Sequence, residues 1–302
     1  FFLPISFTEP FGAKTSISYD RYGLSIKETE DAIHNKVSVA IFNYRTMSPQ
    51  KMRDINVNFS EAITDELGMI KAMAVYGKGY EADDLVGLEA FRTVPDDTSI
   101  TTFLDAETTS QLRQHGNDLL KHASMRLVYD LHRYVNSGGK QPAVVASIVR
   151  EQHYVKNAAS PVQLSFEYSN GLGQTVMKKV QDEPGFAKKV VLGADDSYSI
   201  TEVNTGADLR WIGNGRTILN NKGNPVKQYE PFFSVSHQFE DQKELVETGV
   251  TPILYYDAAG RMVRTVMPDK SVTRVEFDAW QQASFDQNDT VLEPGNQWYA
   301  KR

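Results

Sequence analysis

Between Val250 and Asp278 the chain reads VTPILYYDAAGRMVRTVMPDKSVTRVEFD: an apolar strand, a turn, an alternating strand, a second turn and a third strand. The first of these turns, Asp257 to Gly260, is one copy of a unit that recurs. Asp20 and Gly23, Asp65 and Gly68, Asn170 and Gly173, and Asn220 and Gly223 repeat the spacing of Asp or Asn three residues before Gly. Asp or Asn opens such a turn because its short side chain bonds backbone N–H groups two residues on. Gly closes it because a positive φ carries no steric cost without a Cβ. Three residues after the Gly stand Ile26, Val176, Val226 and Val263, and in three units a basic residue follows directly: Lys27, Lys227 and Arg264. The unit at Gly68 slips by one, with Ile70 in the apolar place.

Further turn signals stand at Asp31 to Asn35, Ser48-Pro49 and Asp54 to Asn58, so the first quarter reverses roughly every ten to thirteen residues. The runs between them, such as KTSISY, KVSVAIFNY and MIKAMAVYG, are rich in β-branched and aromatic residues. Short strands at this interval predict antiparallel hairpins in series. One hairpin is too small to bury its own apolar face, and stacking it against its neighbours in a continuous sheet solves that problem.

The length, 302 residues, suits two ordinary domains or one large all-β unit. Hydrophobic residues at 40% and charged residues at 24% indicate a globular chain, not a disordered one. A net charge of −7 argues against a nucleic-acid module, whose affinity comes from clustered Lys and Arg. The chain has no cysteine, which excludes a disulfide scaffold, a thiolate metal site and a Cys nucleophile. No apolar run approaches the roughly 20 residues of a membrane-spanning helix, so no direct membrane insertion is expected. The opening FFLPISFTEP lacks an initiator Met and a basic segment before an apolar one, so it is not an intact signal peptide. Both ends read as cut from a longer chain.

The middle differs. Residues 79–97 are acidic and lack a clear period, which reads as a surface excursion. DAETTSQLRQHGNDLLKHA, from Asp105 to Ala123, predicts one helix with Asp105 as N-cap, although Gly116 weakens it by about 1 kcal/mol. After it, Met125, Leu127, Tyr129 and Leu131 alternate in SMRLVYDLHRYV, and AVVASIVREQHYV follows the turn NSGGKQP. That pair reads as a long hairpin with one face buried. The expected organisation is therefore repeat strands over 1–78, an acidic loop and helix over 79–122, a hairpin over 123–160 and repeat strands over 161–302. No linker long enough to separate independent domains is visible.

The stretch YYDAAGRMVRTVMPD resembles the repeat unit of Rhs/YD-repeat proteins, with Tyr256, Asp257, Gly260, Arg261, Pro268 and Asp269 fitting the signature. Lys270 departs from it where Gly is usual. SYDRYG and TDELG are weaker copies. The longer blocks FEYSNGLGQTVMKKVQDEPG, RWIGNGRTILNNKGNPVKQYEPFFS, GVTPILYYD and VEFDAWQQASFDQNDTVL are similar to the B component of insecticidal toxin complexes and its virulence-plasmid-toxin-like relatives. The resemblance covers most of the chain and is poorest from Gly79 to about Leu120. It implies a mainly all-β fold, an antiparallel YD-repeat sheet that spirals into a shell segment with one short helical insertion. The function it implies is non-catalytic: a cocoon wall that encapsulates a C-terminal toxin for delivery. The partners it implies are the rest of the B/C shell, the enclosed toxin and, indirectly, a pore-forming A component. It also implies a secreted bacterial toxin made in the cytoplasm. Some Rhs proteins cut themselves with a pair of aspartates at the end of the shell; residues of that kind are not recognisable here and none is assigned.

Sharper chemistry finds little support in the residues. The histidines His34, His115, His122, His132, His153 and His237 are scattered, without the metalloprotease spacing. His115 and His122 share nearly one face of the expected helix but lack a third ligand. Gly171-Leu-Gly173 and Gly213-Asn-Gly215 lead into strand-like sequence, whereas a phosphate loop leads into a helix. The acidic groups Glu81, Asp83 and Asp84, and Asp195 with Asp196, read as solvated loops. Lys178, Lys179, Lys188 and Lys189 read as a solvated strand face. No catalytic, cofactor-binding or metal residue is therefore expected, and no cofactor. The alternative is a carbohydrate-binding or glycan-active β-protein at a cell surface, using the aromatics from Tyr229 to Phe239. That alternative requires two or more coplanar aromatic faces open to solvent.

Overall fold

The computed structural model describes residues 2–88, 97–193, 197–294 and 296–297. The chain divides into two compact units, Phe1–Asp130 with Val145–Ser165, and Leu131–Val144 with Phe166–Arg302.

The first unit opens as a meander. Strands β1 (Ser6–Thr8), β2 (Lys14–Tyr19), β3 (Ile26–Glu30), β4 (Lys36–Asn43), β5 (Ser48–Arg53), β6 (Phe59–Thr64) and β7 (Ile70–Tyr76) pair in chain order. Each is antiparallel to the last. Helices α1 (Asp97–Leu104) and α2 (Thr109–Leu120) follow, and β8 (Met125–Asp130) then pairs with β7. A single helical turn, α3 (Arg133–Asn136), precedes β9 (Ala143–Arg150) and β10 (Val162–Ser169), and the divisions between the units fall in these two strands.

The registers assign each meander residue to a face. Ile17, Thr29 and Val37 lie opposite one another, as do Val39, Met52, Ser60 and Val75. The other face carries Ser16, Glu30 and Lys36 in one row and Lys51, Glu61 and Ala74 in another. Ion pairs cross that second face: Lys36 to Glu28 at 3.1 Å and to Glu30 at 3.2 Å, and Lys51 to Glu61 at 3.8 Å. One face of the meander is thus apolar with hydroxyls, and the other is charged. No residue of β1 to β5 is buried.

The core of the first unit lies under the helices instead. Phe103, Leu104, Leu112 and Leu120 are buried together with Ala146, Ile148, Val162 and Leu164. A Cβ built on Gly116 would stand 3.4 Å from Phe103, 3.6 Å from Leu164 and 3.7 Å from Ile148, so Gly116 marks where α2 comes closest to the strands.

Three expectations change here. The insertion holds two helices, not one, and α1 begins at the end of the stretch read as aperiodic. The second helix starts at Thr109, with Thr108 and Gln111 forming a reciprocal capping box, so Thr108 takes the N-cap place assigned to Asp105. In β8 the buried residues are Arg126 and Val128, while Met125, Leu127 and Tyr129 are only half-buried and Leu131 is exposed. The reason is that α1 and α2 contact β8 and cover the arginine's side of the strand. Burial there pushes the Arg126 guanidinium pKa down to about 10.

In the second unit β11 (Thr175–Asp182), β12 (Phe186–Leu192), β13 (Tyr198–Asn204) and β14 (Arg210–Gly213) are followed by the small hairpin β15 (Thr217–Leu219) and β16 (Pro225–Gln228). Next come β17 (Phe232–Ser234) and the helical turn α4 (Lys243–Val246). The larger sheet runs β11-β14-β17-β12-β13 and is antiparallel except where β12 meets β17 through Lys188 and Ser234. A four-stranded antiparallel meander closes the unit: β18 (Ile253–Tyr256), β19 (Met262–Val266), β20 (Val272–Phe277) and β21 (Gln282–Phe285). Trp211, Phe166 and His237 pack together in the core of this unit. The fold is mainly β, dominated by a large antiparallel sheet. No helix among the described residues is long and apolar enough to cross a membrane.

Candidate functional surface: the repeated turns

Six turns share one geometry. They open at Asp31, Asp54, Asp65, Asn170, Asn220 and Asp257. In each, the side-chain Oδ1 of the opening residue accepts the amide four residues on, at 2.8–3.0 Å. The opening carbonyl accepts the amide three residues on at 3.0–3.2 Å, and the opening amide donates to the carbonyl four residues on at 2.9–3.1 Å. This is a three-residue hairpin loop with a left-handed fourth position, which fits the right-handed twist of the flanking strands. Gly68, Gly173, Gly223 and Gly260 fill that position with φ of 87°, 74°, 79° and 82°. His34 and Val57 fill it in the other two, at 68° and 69°. The absence of Gly hid these two turns from the repeat pattern, although Asp31 and Asp54 announced a reversal. The turn at Asp20 is longer by one residue. Asp20 Oδ1 accepts from both Leu24 and Ser25, and Gly23 has φ 69°.

The turns are also tied to one another, which sequence spacing did not reveal. Tyr44, between β4 and β5, donates its hydroxyl to Asp20 Oδ2 at 2.8 Å. The adjacent Arg45 donates to the carbonyls of Asp65 at 2.6 Å and Glu66 at 2.9 Å and to Thr64 Oγ1 at 3.1 Å. In the second unit Lys222 donates to the Ala258 carbonyl at 2.5 Å, and the Tyr256 hydroxyl donates to the Pro225 carbonyl at 2.7 Å. Arg261 bonds Asp257 Oδ2 at 2.8 Å and stacks over Phe277 at 4.4 Å. Asn170, Asn220 and Asp257 open neighbouring turns, since a Cβ on Gly223 would stand 2.8 Å from Gln174 and one on Gly260 3.4 Å from Asn224.

The most enzyme-like cluster lies in the first unit. Buried Asp83 accepts from Ser124 Oγ at 2.5 Å and the Tyr154 amide at 2.5 Å, with His153 Nδ1 2.9 Å away. Ser124 and His153 share this carboxylate, with no hydrogen bond between them, and Ser124 Oγ also accepts the Val75 amide at 2.8 Å. A nucleophile needs its base on the hydroxyl proton, and here that proton is committed to Asp83. The cluster fastens residues 82–84 to the strands. His122 bonds Asp84 at 3.1 Å and stacks on Tyr154, and it lies beyond the end of α2, away from His115. Among the described residues no three His, Asp or Glu side chains gather in a metal-holding group. Asp195 and Asp196 lie outside the described residues.

The remaining candidates also resolve into packing. A Cβ on Gly213 would meet the Phe232 ring at 2.5 Å, and one on Gly215 the backbone of Tyr229 and Glu230 at 2.4 Å, so both glycines permit close approach of chain to chain. From Tyr229 to Phe239 only Phe233 among the aromatics is exposed, and the Arg210 guanidinium covers its ring at 3.7 Å. The paired open faces that a sugar platform requires are not formed there. Lys179, expected on a solvated face, is instead fully buried. The strand turns it inward, where Glu240 and the Ser236 carbonyl meet its ammonium.

No family model and no curated protein matches this chain. Solved structures do. The chain is similar to TcdB2-TccC3 with a TM-score of 0.65 at 20% identity, over 93% of this chain and 13% of that one. A Tc holotoxin pore from Photorhabdus luminescens gives 0.61 at 18% identity, over 93% and 15%. A TcdB2-TccC3-Cdc42 structure gives 0.62 at 18%, again over 93% and 15%. The fold is thus that of the Tc toxin B/C structures, and the chain spans about one seventh of the length of the chains it matches.

Proposed function

We propose that this chain is a non-catalytic segment of an Rhs-repeat shell that encloses a toxin polypeptide. The observation that carries the reading is the run of hairpins on one recurring Asx turn, within a fold similar to TcdB2-TccC3 over 93% of the chain. A sheet built by short reversals extends strand by strand, and each added hairpin covers the open edge of the last. Ties such as Tyr44–Asp20 and Arg45–Asp65 hold neighbouring turns together, as a wall without a central core requires. The rest of a B/C-type shell is the partner at its borders, a C-terminal toxin is the enclosed partner, and a pore-forming A component acts on the assembly. The working location is outside the producing cell.

Limited proteolysis of the whole protein that contains these residues tests the reading. An enclosed polypeptide survives protease at concentrations that digest it once the wall is opened by denaturant. Digestion of every other segment at the same rate before and after opening would count against a shell.

A further inference from the structure

The turns alone do not explain why the meander has two chemically different faces. One face bears the Glu28, Glu30, Lys36, Lys51 and Glu61 ladder, so it is at home in water. The other presents Phe7, Ile17, Val37, Met52 and Val75, with Thr15, Thr29 and Ser60 in the same rows. Phe7, Val37, Met52 and Val75 are exposed at 58%, 37%, 36% and 42%. An apolar sheet face left open across so many strands marks an interaction surface.

We propose that this face is a docking surface for a non-native polypeptide, bound in extended or partly folded form. The proposal rests on the wall reading above and names what the apolar side of the wall touches. Charge supports it: none of these eight positions carries any, so the face neither attracts nor repels an ionic partner and takes an uncharged one by area. Extent supports it as well. Seven strands at ~4.8 Å spacing and about five residues of ~3.3 Å give a footprint on the order of 500 Å² in projection. That is the same order as the roughly 800 Å² of accessible surface each side contributes to a stable interface. The hydroxyls choose the occupant. Those of Thr15, Thr29 and Ser60 make no hydrogen bond in the structure. Dry packing against an equally apolar sheet would strand them, whereas an unfolded chain brings free backbone N–H and C=O groups to meet them.

The 302-residue chain is titrated with reduced, carboxamidomethylated α-lactalbumin as an unfolded probe, and with the native protein as folded control. About 0.3 M salt screens net charge. The unfolded probe is expected to bind and the native one not. Val37→Lys with Met52→Lys should weaken binding at least tenfold, while Ser16→Lys with Ser18→Lys, on the charged face, should leave it unchanged. Circular dichroism checks folding, and Val75→Lys alone replaces the first pair if that pair unfolds. No binding of the unfolded probe overturns the proposal, as does binding that Val37→Lys with Met52→Lys leaves intact. A dimer that the same pair abolishes, without probe binding, assigns the face to a second copy and overturns it too. Any of these results leaves the wall reading standing, because protease protection in the whole protein is read independently.

Discussion

Lys179 and Glu240 form an ion pair in the interior of the second unit, and the ammonium, with no exposure to solvent, also donates to the Ser236 carbonyl at 3.0 Å. The Phe232 ring stands 5.0 Å away. Burial holds the Lys179 pKa below its usual value, and the Glu240 carboxylate opposes that shift. Removing one member leaves a charge in a site that cannot hydrate it. Lys179→Met should therefore cost about 3–5 kcal/mol. Lys179→Met with Glu240→Leu should recover most of the loss, measured by urea unfolding. A double variant no more stable than the single one would contradict the assignment.

Val57 holds φ at 69° in the fourth position of the Asp54 turn, where four of the six turns have Gly. A β-branched residue is sterically disfavoured in the left-handed region. Val57→Gly should raise stability by about 1 kcal/mol, part of the relief being offset by the freer unfolded chain. The mirror experiment is Gly173→Ala. No atom lies within 4 Å of the added Cβ, so the loss of about 1–2 kcal/mol is backbone strain alone. Thermal melts of the two variants should shift in opposite directions.

Acid should loosen the turns selectively. The Asp54 carboxylate is held below the usual aspartate value of 3.8 mainly by the Asn58 amide, with further bonds from the Asn58 side chain and Asn56. In Asp257 the Arg261 amide is the largest cause, and in Asp31 the Asn35 side chain. A carboxylate depressed on folding adds stability above its unfolded pKa and loses it as pH falls through the folded value. The contribution is therefore complete at neutral pH and fades below about pH 4. Asp54→Asn keeps an amide oxygen for the same backbone bonds and does not titrate. Its melting temperature relative to wild type should be flat from pH 7 to about 5 and rise below about 4.

Gly116 sits inside α2, where Ala is the better helix former. A Cβ there would meet its neighbours at 3.4–3.7 Å, which are ordinary van der Waals distances. Gly116→Ala should thus stabilise by about 0.5–1 kcal/mol, whereas Gly116→Leu forces side chains into Phe103, Ile148 and Leu164 and should destabilise. Guanidinium unfolding of the two variants gives the comparison.

Much of the architecture was legible because the Asx turn is local. The bonds of Asp65 or Asn220 reach only four residues along the chain, so spacing alone exposes them. What spacing missed depends on distant residues. Alternation in β8 pointed Met125 and Leu127 inward, but α1 and α2 cover the other side and bury Arg126. Lys179 looked solvated beside Lys178, and only residue 240, far along the chain, explains its burial. The ties from Tyr44 and Arg45 join turns about twenty residues apart, and no local pattern in the sequence marks them.

The central claim, that these strands form part of an enclosing wall, is tested most directly by electron cryomicroscopy of the whole protein. The account predicts that the meanders continue into neighbouring strands around an interior containing polypeptide density, with Phe7, Val37 and Met52 on the interior side. A free-standing domain with both faces of the β1 to β7 sheet in bulk solvent would contradict it.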